Sequence, residues 1–247
     1  MINRSQVLNY IKERQHITIN QMCLDLSISQ STARRMIIQL EKAGEIGRLH
    51  GGAFALQENK PTLVTSRLGV DREKKMKIAQ SAAKMIKENF TIILLSGSTI
   101  SYMCNYIKDM NITVITNSLL VLDRLKERPN IKIIILGGMY NHEESEIGGI
   151  LQNSIIGFLR ADLLFMGCSG FDEKNGFTNR NSSLELFRTC IQICNEVCVL
   201  VDSSKHNSGG TSIAATPEQV KYIFTDHDLP SDVVRRFEEK GITVILT

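Results

Sequence analysis

Two groups of residues in this chain have types and spacings that could do chemistry. In the first, Ser29-Gln30-Ser31-Thr32-Ala33-Arg34-Arg35 is followed by Arg48 and by His50-Gly51-Gly52. Arg can pair with guanine O6 and N7 and Gln with adenine, while Ser or Thr serves a phosphate or a base edge. In the second, polar and glycine residues follow one β-branched run after another. Ser96-Gly97-Ser98-Thr99 follows 91–95, Asn117-Ser118 follows 112–116, and Gly137-Gly138 follows 131–136. Gly170-Phe171-Asp172 comes shortly after 163–166, Asp202 with Lys205 after 197–201, and Asp226 after 222–225. A Ser/Gly turn that opens a helix can face a phosphate with its N–H groups and hydroxyls. Asp172, Glu185, Asp202 and Lys205 carry groups that could hold sugar hydroxyls or move protons on an enediol. Singly, each has a plainer reading, since such turns are Gly/Ser-rich for steric reasons and carboxylates cap loops or stand in water. As a set they point to a ligand crevice. Neither G-x-G-x-x-G nor Gly-Lys-Ser/Thr is present, which argues against a dinucleotide or ATP and leaves a small phosphorylated molecule.

The first group needs a helix to present it. Val7, Leu8 and Ile11, then Met22 and Leu26, recur at helical spacing and predict two short helices. Ser29 is a good cap for a third helix over 30–43, whose Ala33, Ile37 and Leu40 share one face, with Gly44 as its stop. This is the spacing of a helix-turn-helix whose second helix enters the major groove. With the apolar face turned to a core, Gln30, Ser31, Thr32, Arg34 and Arg35 are left on the outer surface. Two short strands, 46–49 and 53–56, joined through His50-Gly51-Gly52 predict a wing in which Arg48, His50 and Gly51 meet backbone or minor groove. Solvated arginines on a small helical module are the plainer alternative.

The second group needs a parallel sheet. Runs at 91–95, 112–116, 131–136, 163–166, 197–201, 222–225 and 243–246 alternate with helical patterns near 72–88, 99–108, 118–128, 152–160, 182–195 and 230–240. Such alternation predicts an α/β domain with a mostly parallel sheet, whose carboxyl-edge loops build the crevice. The expected organisation is thus a winged helix-turn-helix domain over 1–56, a linker over 57–71 and an α/β domain over 72–247. A strand near Leu63-Val64 is an equal alternative to part of the linker.

Of 247 residues, 43% are hydrophobic and 22% charged, an ordinary globular composition. No apolar run approaches the ~18 residues of a spanning helix, and the first residues lack a leader pattern, so a cytoplasmic protein is expected. Residues 1–56 hold seven Lys/Arg against four acids, whereas the rest is balanced at 22 of each. A polyanion would therefore meet the amino-terminal part. Cys190, Cys194 and Cys198, near His206, are read as packing residues rather than a metal site. Glu143-Glu144-Glu146 beside His142 is read as a solvated loop with no site. No metal, cofactor or catalytic residue is expected.

The sequence resembles the DeoR-type bacterial transcriptional regulators. At the amino terminus the resemblance rests on 29–35, Leu40-Glu41, Gly44, Arg48 and His50-Gly51-Gly52-Ala53. Farther on it rests on Ser96-Gly97-Ser98-Thr99, Thr116-Asn117-Ser118, Leu136-Gly137-Gly138, Gly170-Phe171-Asp172, Gly176-Phe177-Thr178, Glu185 with Arg188, and Asp202-Ser203-Ser204-Lys205. It covers nearly the whole chain and implies a fold similar to ribose-5-phosphate isomerase. It also implies a phosphorylated sugar on the Ser96 to Thr99 loop, with Asp172, Glu185 and Lys205 around it. Three positions depart from the family's habit: Met36 stands for an acid, Leu95 for Asp, and Phe187 for a frequent Lys.

The leading expectation is a repressor of carbohydrate genes that binds double-stranded operator DNA as a homodimer or homotetramer and answers to a phosphorylated sugar. The alternative is a sugar-phosphate isomerase-like enzyme with an accessory DNA-binding domain, using Glu185 as base and Lys205 to steady an enediolate.

Overall fold

The computed structural model describes residues 4–14, 16–42, 46–49, 52–55, 63–180 and 184–247. The chain divides into two compact units, Met1–Pro61 and Thr62–Thr247.

In the first unit, helices α1 (Arg4–Arg14), α2 (Ile19–Leu26) and α3 (Gln30–Lys42) combine with strands β1 (His16–Thr18), β2 (Ile46–Leu49) and β3 (Gly52–Ala55). Val7, Ile11, Met22, Ala33, Ile37, Leu40, Ile46 and Ala53 are buried together, so the helical spacing of the sequence becomes one core. Thr18 caps α2 by accepting the Gln21 N–H at 3.2 Å. Ser27 ends that helix in the left-handed region, and Ser29 accepts the Thr32 N–H at 3.3 Å at the head of α3. The Tyr10 hydroxyl (2.5 Å), Gln21 Nε2 (2.8 Å) and Arg14 guanidinium (2.9 Å) converge on Asp25, fastening α1 to α2. Both wing strands form, and β1 joins them in a sheet of order β1-β3-β2. β1 was not expected, because three residues give no alternation to read.

The second unit opens with α4 (Val64–Arg67), a helix of four residues where a linker or strand was expected. Val64 is fully buried there, and the Lys75 ammonium donates to the carbonyls of Arg67 (2.9 Å) and Val70 (2.6 Å). Residues 63–71 therefore belong to the α/β unit instead of a free connection, and an element this short leaves no period in the sequence. The remaining helices are α5 (Arg72–Ala83), α6 (Ser98–Met103), α7 (Leu119–Leu125), α8 (Ile150–Ile156), α9 (Leu184–Ile193) and α10 (Ser231–Glu238). The strands are β4 (Thr91–Leu94), β5 (Ile112–Thr116), β6 (Ile131–Ile135), β7 (Met139–Asn141), β8 (Glu146–Gly148), β9 (Ala161–Met166), β10 (Gly170–Asp172), β11 (Gly176–Asn179), β12 (Cys194–Leu200), β13 (Ser212–Ala215), β14 (Tyr222–Thr225) and β15 (Thr243–Leu246).

Seven strands form a parallel sheet of order β15-β14-β12-β9-β4-β5-β6. Alternate residues feed opposite layers: Ile92 and Leu94 join one core with Ile78, Ala82 and Val121, while Ile93 joins another with Leu186, Phe187, Cys190 and Phe237. Burial on both faces explains the near-continuous apolar runs. Every predicted strand and helix of the α/β region is present, with ends shifted by a few residues. The hairpin β7–β8 and the small sheet β10-β11-β13 were not expected; their strands are short and pair with partners that local patterns do not reveal.

Cys104, Cys168, Cys190 and Cys198 are buried, and all six cysteines are free. Burial pushes the Cys194 thiol up to about 12, and the Cys190 and Cys198 thiols higher still, as expected of packing thiols. Among the described residues no helix is long and apolar enough to cross a membrane, and no His/Cys/Asp/Glu cluster could hold a metal.

Candidate functional site

On α3, burial of Ala33, Ile37 and Leu40 turns Gln30, Ser31, Arg34 and Arg35 outward, and all four are exposed. Gln30 Nε2 donates to Asn20 Oδ1 at 3.1 Å across the turn from α2. Thr32 is half-buried and its hydroxyl lies 2.9 Å from Ser29 Oγ, so it belongs to the cap as much as to the outer face. Arg48 lies on β2, opposite Ala53. His50 and Gly51 lie outside the described residues.

In the second unit the predicted polar residues collect at the carboxyl edge of the sheet, each for a local reason. Ser96 and Gly97 form the turn between β4 and α6, whose first residues Ser98 and Thr99 are buried. Beside them, the Thr116 hydroxyl ties β5 to β4 by donating to the Leu94 carbonyl at 2.6 Å, and it accepts the Ser118 N–H at 3.0 Å. Ser118 caps α7 by accepting the Val121 N–H at 3.4 Å. Asn117 donates to Glu146 (3.1 Å) and to the Ile147 carbonyl (3.3 Å), while its buried Oδ1 has no partner.

Past β12, the Asp202 carboxylate is almost wholly buried. The Ser204 hydroxyl donates to Oδ1, Oδ2 has no hydrogen-bond partner, and the Lys205 ammonium lies 3.9 Å away while donating to the Cys168 carbonyl at 3.1 Å. Lys75 is near enough to both to feel their charges, and its pKa is lowered by burial first and by Lys205 second. Asp226 accepts from the Ser203 N–H and hydroxyl at 2.7 Å each and pairs with Lys74 at 3.1 Å. The sequence reading did not assign Lys74 or Lys75 a role; on a solvated helix face they would look no different.

Other predicted residues have different tasks. Asp172 accepts N–H groups from Lys174 (2.8 Å) and Asn175 (2.6 Å) and the Asn175 amide at 3.0 Å, closing the β10–β11 turn. Although burial opposes it, those donors hold its pKa below the usual range. Gly138, at φ +151, and Gly170 allow backbone contacts: a Cβ would lie 2.2 Å from the Gly148 carbonyl oxygen and 1.8 Å from that of Ser208, respectively. Gly137 is exposed and has room for a side chain. Glu185 is exposed on α9 and accepts from Asn153 of α8 at 2.7 Å. Leu95 and Phe187, which stand where the resemblance expects Asp and Lys, are both buried in the core.

The acidic loop is half-buried, not fully solvated as expected. The β7–β8 hairpin lies over the ends of β4 and β5: Ser96 Oγ donates to the Glu144 carbonyl at 2.7 Å, Leu119 N–H to Ser145 at 2.9 Å and Ile147 N–H to Asn117 at 2.8 Å. Burial first, and then the neighbouring Glu144, push the Glu146 carboxyl up to about 7, against Asn117 and Arg67. The folded hairpin thus holds this proton more tightly than an unfolded chain with the ordinary 4.5. That contribution is fully present below pH 4.5 and should be lost as pH rises through about 7, with an upper bound of roughly 3 to 4 kcal/mol. Hydrogen exchange of β8 amides, corrected for intrinsic rates, should show that slope in the wild type and lose it in Glu146→Gln. Equal slopes would remove Glu146 as the cause.

A helix-turn-helix module with its Arg pair outward, joined in one chain to an α/β domain with polar residues gathered at the carboxyl edge of its sheet, is the build of a DNA-binding regulator. The model of the DeoR C terminal sensor domain matches residues 70–227, and that of the DeoR-like helix-turn-helix domain matches residues 4–59. The chain belongs to the DeoR family of transcriptional regulators. The HTH-type transcriptional regulator GolR of Listeria innocua is 31% identical over 244 residues, covering 98% of this chain and 96% of that protein. The HTH-type transcriptional repressor GlcR of Bacillus subtilis is 28% identical over 243 residues, covering 98% and 94%. Among solved structures, ribose 5-phosphate isomerase A from Methanocaldococcus jannaschii is similar over 55% of each chain, with 19% identity and a TM-score of 0.41. With relatives named as regulators along its whole length, this chain is a regulator and not an isomerase-like enzyme.

Proposed function

We propose that this protein is a cytoplasmic repressor of genes for carbohydrate use, released from its operator by a phosphorylated sugar bound at the carboxyl edge of the parallel sheet. The observation that carries the effector reading is the pair of buried oxygens at that edge, Asn117 Oδ1 and Asp202 Oδ2, without a hydrogen-bond partner, with Lys205 beside the second. Buried acceptors of this kind call for a donor, and sugar hydroxyls are donors. Ser96, Gly97, Ser98 and Thr99 take the phosphate in this reading, Asn117, Asp202 and Lys205 the sugar, and Glu185 and Asn153 line the outer rim. Asp172 is left out, because its oxygens are engaged in a turn. The relative GlcR carries the name repressor, which supports the sign of regulation. Two or four copies act together, since helix-turn-helix modules read paired half-sites. Arg34, Arg35, Gln30 and Ser31 read the major groove, with Arg48, His50 and Gly51 on the wing.

A thermal-shift screen against sugar phosphates, with the free sugars as controls, tests the effector reading. Binding at 100 times Kd should stabilise by about 2.7 kcal/mol. The expected result is a shift that requires the phosphate, falls at least tenfold in apparent affinity in Lys205→Met, and accompanies loss of operator binding. Shifts that are equal with free sugars, or absent throughout the panel, would overturn it.

A further inference from the structure

The α4 segment is the first described part of the α/β unit, and the chain reaches it from the wing strand β3 through 56–62. It is fastened at four points, and three of them are the crevice or its cover. The Val64 N–H donates to the Glu143 carbonyl at 2.7 Å, and the Arg67 guanidinium is paired with the Glu144 carboxylate. Tyr102, on the helix that follows the Ser96 to Thr99 turn, donates through its hydroxyl to the Leu68 carbonyl at 2.8 Å. Lys75, which feels Lys205 and Asp202, holds the carbonyls of Arg67 and Val70.

Glu144 is the junction. Its carbonyl accepts the Ser96 hydroxyl at 2.7 Å, and its carboxylate holds Arg67. A serine hydroxyl has one hydrogen to give. A phosphate that takes that hydrogen must remove it from the Glu144 carbonyl, so the two bonds exclude each other. Arg67 also has a buried Nε without a partner, so losing Glu144 would leave more of the guanidinium unsatisfied beneath the surface.

We propose that Ser96, Glu144 and Arg67 form a latch: a phosphate on the Ser96 turn withdraws the hydroxyl from Glu144, the β7–β8 hairpin shifts, and α4 is released from its ion pair. The inference rests on the sugar-phosphate reading and adds the route by which occupancy reaches the segment leading to the DNA-binding unit. Glu144 and Arg67 act here as positioning residues that do not touch the ligand. A coupling of this kind needs only that the ligand favour the unlatched arrangement.

The experiment uses the full-length protein, a fluorescent operator duplex, and a panel of inorganic phosphate, ribose 5-phosphate, glucose 6-phosphate and fructose 1-phosphate. Arg67→Met and Glu144→Gln are compared with the wild type by thermal shift, by the ratio of operator affinities with and without each compound, and by hydrogen exchange over 63–71 and 139–148. The expected result is that a compound which shifts the wild type also speeds exchange in both segments and lowers operator affinity at least tenfold. In the two variants it should still shift melting, yet change operator affinity less than threefold, with both segments exchanging fast from the start. Variants that keep the wild-type ratio, or wild-type exchange unaltered by a bound compound, would overturn the latch. Should no compound shift the wild type, the effector reading fails. The latch then stands or falls on whether Arg67→Met by itself speeds exchange over both 63–71 and 139–148.

Discussion

Replacing Arg34 and Arg35 together by Ala is expected to weaken operator binding by roughly 30-fold or more at fixed salt, while the α/β unit melts where it did before. Each Arg that reads a base or phosphate contributes about 1 to 3 kcal/mol, and a tenfold change in affinity is about 1.4 kcal/mol. Both side chains are exposed on α3, away from the buried stripe of Ala33, Ile37 and Leu40, so their removal leaves the core of the first unit intact. The single variants separate the two roles. If Arg34 reads a base, Arg34→Ala should relax preference at one operator position; if it meets phosphate, binding should fall evenly across sequences and the salt dependence should shrink by about one ion. Fluorescence anisotropy with operator and scrambled duplexes over a salt series gives both numbers. An unchanged affinity in the double variant would remove α3 as the reading helix.

Asp226→Ala is expected to lower the stability of the α/β unit by roughly 1 to 3 kcal/mol, the cost typical of leaving donors around a buried charged acceptor without a partner. The carboxylate is nearly buried and accepts from the Ser203 N–H and hydroxyl and the Asp228 N–H, besides pairing with Lys74. Without it, Lys74 keeps the exposed Asp228 at 2.7 Å and the Ser203 hydroxyl at 3.4 Å, while the turn carrying Ser203 to Lys205 loses its anchor. The effector response should therefore fail along with stability. Burial opposes ionisation of Asp226, but the Ser203 donors and Lys74 outweigh it and hold the pKa below the ordinary 3.8. A depressed carboxyl stabilises the fold above its unfolded pKa and loses that contribution as pH falls through the folded value. The acid limb of the wild-type stability curve should thus extend below pH 3.8, and this component should be missing in the variant. Urea unfolding followed by hydrogen exchange of β14 reports the unit directly. A variant within a few tenths of a kcal/mol of the wild type would show that the ion pair and its hydrogen bonds contribute nothing net.

How much was legible in advance depended on how far apart the cooperating residues lie. Ala33, Ile37 and Leu40 are near in sequence and adjacent on one helix face, so their spacing alone determined which face α3 buries and that Gln30, Arg34 and Arg35 point away. The β-branched runs likewise determined a parallel sheet, and with it that Ser96, Asn117 and Asp202 would share an edge, because each follows the carboxyl end of its own strand. Asp172 shows the limit: its place in the loop order suggested a sugar contact, but the turn residues Lys174 and Asn175 claim it first.

Three features were decided only by the tertiary structure. The acidic stretch at 143–146 read as solvated, yet the Gly138 turn folds it back over β4 and β5, where Glu146 is half-buried. The segment at 63–71 read as a linker, yet Arg67 finds Glu144 across 77 positions, and on the next helix Lys74 finds Ser203 across 129. The sheet order β15-β14-β12-β9-β4-β5-β6 sets the β4 and β12 loops on either side of β9 at one edge of the sheet, and no local pattern specifies it. Local periodicity is written by neighbouring residues and is legible from them alone. The partner of a buried charge is chosen by which distant segment the packed core brings within hydrogen-bond reach, so it exists only once the chain has folded.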